Sequence, residues 1–229
     1  VEGTLLGGAG WPADGVRTAA GAAIAGWRHL ASCTARVAVG PTWDYARRLD
    51  PAGWHIFHSG AALINAETLE VDGEVVDEAT ITACERLAVE HGWVLEYYSA
   101  FEIACPSTEP LAVEHAGLLG LAHQPRSRDD LTGPLVRLQF VVPIEDTDAV
   151  LAAVPAGAQG TAATSPALDH AAFISVTTAR VSQATDIATL AHSLGVGTAA
   201  AMMVVYGKNQ VSAMASVVRG AASGSSYPA

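Results

Sequence analysis

Val181-Ser182-Gln183-Ala184-Thr185-Asp186-Ile187-Ala188-Thr189-Leu190-Ala191-His192-Ser193-Leu194-Gly195 is followed closely by Met202-Met203-Val204-Val205-Tyr206-Gly207-Lys208-Asn209-Gln210, and the fold turns on this pair of segments. Ser182 stands where an N-cap belongs, and its hydroxyl can accept from a free amide of the first turn. Ile187, Leu190, Ala191 and Leu194 share one helical face, and Gly195 supplies a stop. The pattern predicts an amphipathic helix over 181–195. The uncharged run 202–206 has no polar alternation, which suits a strand buried on both faces of a parallel sheet.

Working backward, residues 67–178 have another texture. Short β-like runs at 70–76, 93–98, 136–142 and 172–176 alternate with helical ones at 81–91, 111–120 and 147–154. The Pro/Gly-rich tract 155–166 reads as a loop inside this module. At the front, residues 16–29 carry Val16, Ala19, Ala23, Ile24 and Trp27 at helical spacing. Residues 32–39 read as a buried strand, 41–49 as a helix, and 54–63 as a strand with Gly60 at a turn. The predicted arrangement is an α/β core from residues 1–67 and 179–229, interrupted by an α/β module at 68–178.

Composition narrows the function classes. Half of the 229 residues are apolar, 15% are charged and the net charge is −11. An acidic chain with a single lysine, Lys208, is a poor match for a phosphate backbone, so no nucleic-acid partner is expected. No apolar run reaches the roughly 18 residues of a membrane span, and no basic-then-apolar leader opens the chain. Cys33, Cys84 and Cys105 have neither paired nor CxxC spacing, which suits a reducing cytoplasm.

Four motifs in order carry a resemblance. Glu2-Gly3-Thr4-Leu5-Leu6 resembles the end of a "DxDGTLL" loop, and Ser32-Cys33-Thr34-Ala35-Arg36 a "TGR" loop. His58-Ser59-Gly60-Ala61 resembles an "NGA" segment. Residues 181–187 and Gly207-Lys208-Asn209-Gln210 resemble "VSKGTGI" and "GDGxND" segments. Together they resemble the haloacid-dehalogenase-type (HAD) phosphohydrolases, in particular the Cof-type sugar phosphatases. The resemblance implies a three-layer Rossmannoid core with an inserted α/β cap, and a site between them at the carboxyl ends of the core strands.

The departures from that pattern are chemical. The family uses an Asp nucleophile, an acid/base Asp two residues later, a Thr or Ser and a Lys on the phosphoryl oxygens, and carboxylates for Mg²⁺. The nucleophile position falls immediately before Val1. Glu2 takes the second Asp, Thr34 is retained, and Gln183 takes the lysine. Tyr206 and Gln210 take the two metal-loop carboxylates, while Gly207 and Asn209 remain. Mg²⁺ requires anionic oxygens, so no metal and no other cofactor is expected.

Several side chains are candidates for replacement chemistry. Asp44, beside Trp43 on the helix after the Thr34 loop, can serve as a base if partly desolvated, or pair with Arg47 or Arg48 on the same helix. His58 and Ser59 fall at a strand end, whereas His55 and Phe57 belong to the opposite strand face. Asp44, His58 and Ser59 are therefore the catalytic candidates. Thr34, Arg36, Trp43, Tyr98, Gln183, Tyr206, Lys208 and Asn209 are the substrate-binding candidates. Lys208 can set a fixed cation where the family holds its metal, and Tyr98 lies on a cap strand able to roof the cleft or simply fill the cap core.

Three functions fit these residues. The first is a repurposed enzyme acting on a small molecule with a sulfate or phosphate leaving group. It is similar in kind to the HAD-like subunit pair that closes an aziridine ring in azinomycin-type biosynthesis, which implies a homo- or heterodimer with another HAD-like subunit. The second is a pseudoenzyme that stabilises a partner, and the third a residual Mg²⁺-dependent sugar-phosphate phosphatase.

Overall fold

The computed structural model describes residues 14–26 and 29–195, which form two compact units. One takes in the described residues up to Arg36, then Pro41–Asp72, then those from Val181. The other comprises Val37–Gly40 and Gly73–Arg180.

The first unit holds α1 (Asp14–Ala25), α2 (Gly40–Leu49), β1 (Trp54–Phe57), a 3-10 turn (His58–Gly60), β2 (Ala62–Asn65), β3 (Val71–Gly73) and α6 (Gln183–Ser193). Strands β1 and β2 form an antiparallel hairpin with Trp54 opposite Asn65 and Phe57 opposite Ala62, and β3 continues the sheet beside β2. The 32–39 stretch contributes a parallel bridge, Cys33 beside Ile56, in place of the expected strand. Its amide ladder is short but well made: Ile56 N–H donates to the Ser32 carbonyl at 2.8 Å and Thr34 N–H to the Ile56 carbonyl at 2.9 Å.

Helix α6 forms as its sequence predicts. Ser182 Oγ accepts from Thr185 N–H at 3.0 Å, and Gly195 adopts φ +67°. Leu190 is buried with Ile56 and Leu63, and Ile187, Leu194, Cys33 and Trp54 pack around them. Each such aliphatic side chain, fully buried, contributes about 1.5–3 kcal/mol.

The second unit is a five-stranded antiparallel sheet, ordered β5-β4-β6-β8-β7, with three helices. Its elements are α3 (Glu78–His91), β4 (Val94–Tyr98), β5 (Ile103–Ala104), α4 (Pro110–Leu118), β6 (Arg137–Pro143), α5 (Thr147–Ala153), β7 (Ala158–Ser165) and β8 (Leu168–Thr178). Period-2 alternation assigns the faces. Leu95, Tyr97, Leu138, Phe140, Val142, Ile174 and Val176 face a core closed by Ile81 and Cys84 of α3 and Val150 of α5. Val94, Val141, Ala171 and Phe173 face the other way, against Ala112, Leu111 and Leu118 of α4.

The 155–166 tract is a strand, not the loop expected. Pro155 and Gly157 (φ +92°) confine the turn to its start, and the long β8 then provides a partner for the following small residues. Gly160 permits α5 to approach β7, since a Cβ there would lie 2.8 Å from Val154 Cγ2.

Candidate functional site

In the first unit the chain brings four of the candidate residues together through backbone hydrogen bonds. Ser59 N–H donates to the Thr34 carbonyl at 3.1 Å, and His58 N–H to the Arg36 carbonyl at 3.0 Å. Thr34 Oγ1 accepts from Arg36 N–H at 3.2 Å, which curls its own loop. Thr34 and His58 are buried, while Arg36 and Ser59 are half-buried. The end of β1 is thereby sewn to the loop that follows Cys33.

The turn that carries His58 and Ser59 is strained. His58 has φ +52°, Ser59 φ +60° and Gly60 φ +104°, so two consecutive side-chain-bearing residues occupy the left-handed region. Each costs of order 1 kcal/mol, and such outliers concentrate at functional sites. Strand alternation therefore does not set the direction of His58, because it has already left β1.

Trp43 of α2 lies next to this turn, its ring 5.9 Å from Phe57 at an interplanar angle of 50°. Its neighbour Asp44 is exposed, which corrects the expected partial desolvation of that carboxylate. Tyr45, next along the helix, is buried, and burial pushes its phenol up to about 12.

Tyr98 sits wholly inside the second unit. Its hydroxyl donates to Glu96 Oε2, and the Arg137 guanidinium carbon lies 3.9 Å from its ring centroid. Glu96 also accepts from Gln139 Nε2 at 3.1 Å, and its Oε1 is 2.8 Å from His115 Nδ1. All five residues are at most 5% exposed. Burial holds the Tyr98 phenol well above its ordinary value and lowers the Arg137 guanidinium, which nearby Tyr98 and Glu96 oppose. Glu96, His115, Arg137 and Gln139 are not among the residues predicted. The signal was available, because a lone Glu within Val94-Leu95-Glu96-Tyr97-Tyr98 must find partners if that strand is buried.

Gln183 opens α6, but its side chain lies outside the described residues, as do Glu2, Tyr206, Lys208, Asn209 and Gln210. The predicted strand at 202–206 lies outside them too. Among the described residues no three His, Cys, Asp or Glu side chains gather as a metal site. By the motif resemblance, Tyr206 and Gln210 stand where the family has metal-loop carboxylates.

No protein-family model and no curated protein matches this sequence. Solved structures do match. A HAD phosphatase from Bacteroides thetaiotaomicron aligns with a TM-score of 0.72 at 17% identity, over 87% of this chain and 72% of its own. A haloacid dehalogenase-like hydrolase from the same organism aligns at 0.70 and 16%, over 86% and 76%. A HAD subclass IIB sugar phosphatase aligns at 0.68 and 16%, over 87% of this chain and 75% of its own. The chain therefore has the α/β fold of the HAD phosphatases, with a cap domain. Its neighbours within that class include sugar phosphatases of subclass IIB. Among the described residues, no helix is long and apolar enough to cross a membrane.

Proposed function

We propose that this protein is a repurposed HAD-like enzyme that acts on a small molecule bearing a phosphate or sulfate ester, without a divalent metal. The observation that carries this reading is the strained His58–Ser59–Gly60 turn bonded to the Thr34 and Arg36 carbonyls, within a phosphatase fold. A rigid loop with a hydroxyl beside a strained histidine turn is a place to hold an anionic ester and take a proton. Metal independence is supported by the motif resemblance, which sets Gln183, Tyr206 and Gln210 against an ammonium and two carboxylates of the family pattern.

The finer reading is an intramolecular displacement. A substrate amine attacks the carbon bearing the ester, the carbon–oxygen bond breaks, and the sulfate or phosphate leaves with its electron pair. The amine proton passes to a base, for which His58 is the candidate, and a three-membered ring such as an aziridine closes. Thr34, Arg36, Trp43 and Lys208 are the binding candidates. A second HAD-like subunit and a cytoplasmic setting belong to the same proposal, as does a cap at 68–178. Asp44 is a weaker base candidate because it is exposed.

A specific observation favours a second reading, the residual phosphatase, since the neighbours include sugar phosphatases. Aryl phosphate, aryl sulfate and a 2-aminoalkyl sulfate are offered to the full natural chain with Mg²⁺ and with chelator. The repurposed enzyme releases sulfate from the amino ester in both conditions, and H58Q loses at least about a hundredfold in rate. Turnover of aryl phosphate that chelator abolishes decides for the phosphatase. If no ester turns over and H58Q changes only the recovery of a partner subunit, the chain is a scaffold.

A further inference from the structure

His55 is buried in the first unit and takes no part in the chemistry proposed above. It is 0% exposed and stands opposite Ile64 in the β1–β2 hairpin. Its ring makes three contacts with two other segments. Nδ1 is 3.1 Å from the Ser32 backbone nitrogen and 3.0 Å from Ser32 Oγ, while Nε2 is 2.9 Å from the Asp50 carbonyl.

These partners determine the tautomer. A carbonyl oxygen only accepts, so Nε2 carries the proton, and a backbone N–H only donates, so Nδ1 is bare. The ring is therefore a neutral bridge, with Ser32 at the root of the Thr34 loop on one side and the residue after α2 on the other. The same Asp50 carbonyl accepts from Gly53 N–H at 3.2 Å, which fixes the turn leading into β1.

We infer that His55 is a pH-sensitive clamp: the neutral ring positions the Thr34 loop against β1, and adding a proton at Nδ1 loosens it. A protonated Nδ1 would set N–H against N–H at Ser32, and only the Ser32 hydroxyl can turn to accept. The surroundings support this assignment. Burial lowers the proton affinity of His55, and the Asp50 carbonyl and carboxylate partly oppose that. Of the elements around β1, α2 carries Arg47 and Arg48 in its last turn, the bridged segment carries Cys33 and Arg36, and α6 carries Asp186 and His192. Strand β2 places the apolar Ile64 across from the ring.

The sign follows from linkage. A histidine whose folded-state value is lowered binds its proton more readily when the site is open. Its stabilising contribution is complete above the unfolded value of about 6.5 and declines as pH falls below it. The opening equilibrium of the clamp then rises by up to about tenfold per pH unit, until the folded state titrates.

Hydrogen exchange at the Ser32, Thr34, Ile56 and Ser59 amides, normalised to intrinsic rates, tests this between pH 7.5 and 5. In the wild type, protection falls with pH by up to about tenfold per unit. In H55Q the dependence flattens, and in S32A, which lacks the relieving hydroxyl, it steepens. Nitrogen-15 imidazole shifts of the wild type at pH 7.5 must also show a bare Nδ1, which needs no variant to fold. Protection that is independent of pH, a wild-type profile in H55Q, or the opposite tautomer would overturn the inference. Ester turnover is not among the readouts, so failure here leaves the proposed function untouched.

Discussion

The two units spend polar atoms in opposite ways. In the five-stranded sheet of the second unit, Glu96 is enclosed by Tyr98, His115 and Gln139, and each of these donors serves the same carboxylate. In the other unit the Thr34 loop and the His58–Gly60 turn are tied through main-chain groups, and the backbone itself is strained. The first arrangement satisfies a buried carboxylate with side chains, whereas the second fixes a turn with main-chain bonds. Buried polar groups are thus satisfied by different means in the two units.

The contrast can be broken most forcefully at Glu96. Glu96→Ala leaves the buried Tyr98 and His115 donors without their acceptor, with Gln139 keeping Tyr98 Oη, and should destabilise the second unit by about 3–5 kcal/mol. Urea unfolding followed by Trp93 fluorescence would detect it, and a loss below about 1 kcal/mol would mean that water fills the gap. Tyr98→Phe removes one donor and keeps the ring under Arg137, so the cost should fall to about 1.5–3 kcal/mol in the same assay.

The strained turn should respond with the opposite sign. Ser59→Gly relieves a left-handed residue at the expense of chain entropy, for a net gain of about 0.5–1 kcal/mol. If the turn also serves the site, ester turnover should drop while the melting temperature rises. A stability gain with full activity would leave the strain without a functional role.

Much of this architecture was readable from the residues. Ser182, Ile187, Leu190 and Gly195 specify α6 because capping and helical spacing are local properties, and the ordered motifs pointed to the fold. The 155–166 strand was not readable, since its small residues hold strand geometry only because β8 lies beside them. His55 and Glu96 were missed for a related reason. Each acquires its role from partners 19–43 residues away, Ser32, His115 and Gln139, which no local spacing connects. Short motifs named Thr34, His58 and Ser59, which backbone hydrogen bonds bring together, but the left-handed conformation of the turn is a backbone property that His and Ser do not advertise.

The packing of Leu190 on Ile56 and Leu63 has a consequence for how the chain folds. That contact joins residues more than a hundred positions apart, and Gly73–Arg180 lies entirely between them. The antiparallel sheet can zip from its own hairpins as soon as it is synthesised, with no help from distant sequence. The interrupted unit must wait for α6, and it closes its hydrophobic cluster more cheaply once the intervening segment has already condensed into a short spacer. Refolding should accordingly show the Trp93 signal of the inserted sheet ahead of the Trp54 signal of the unit it interrupts.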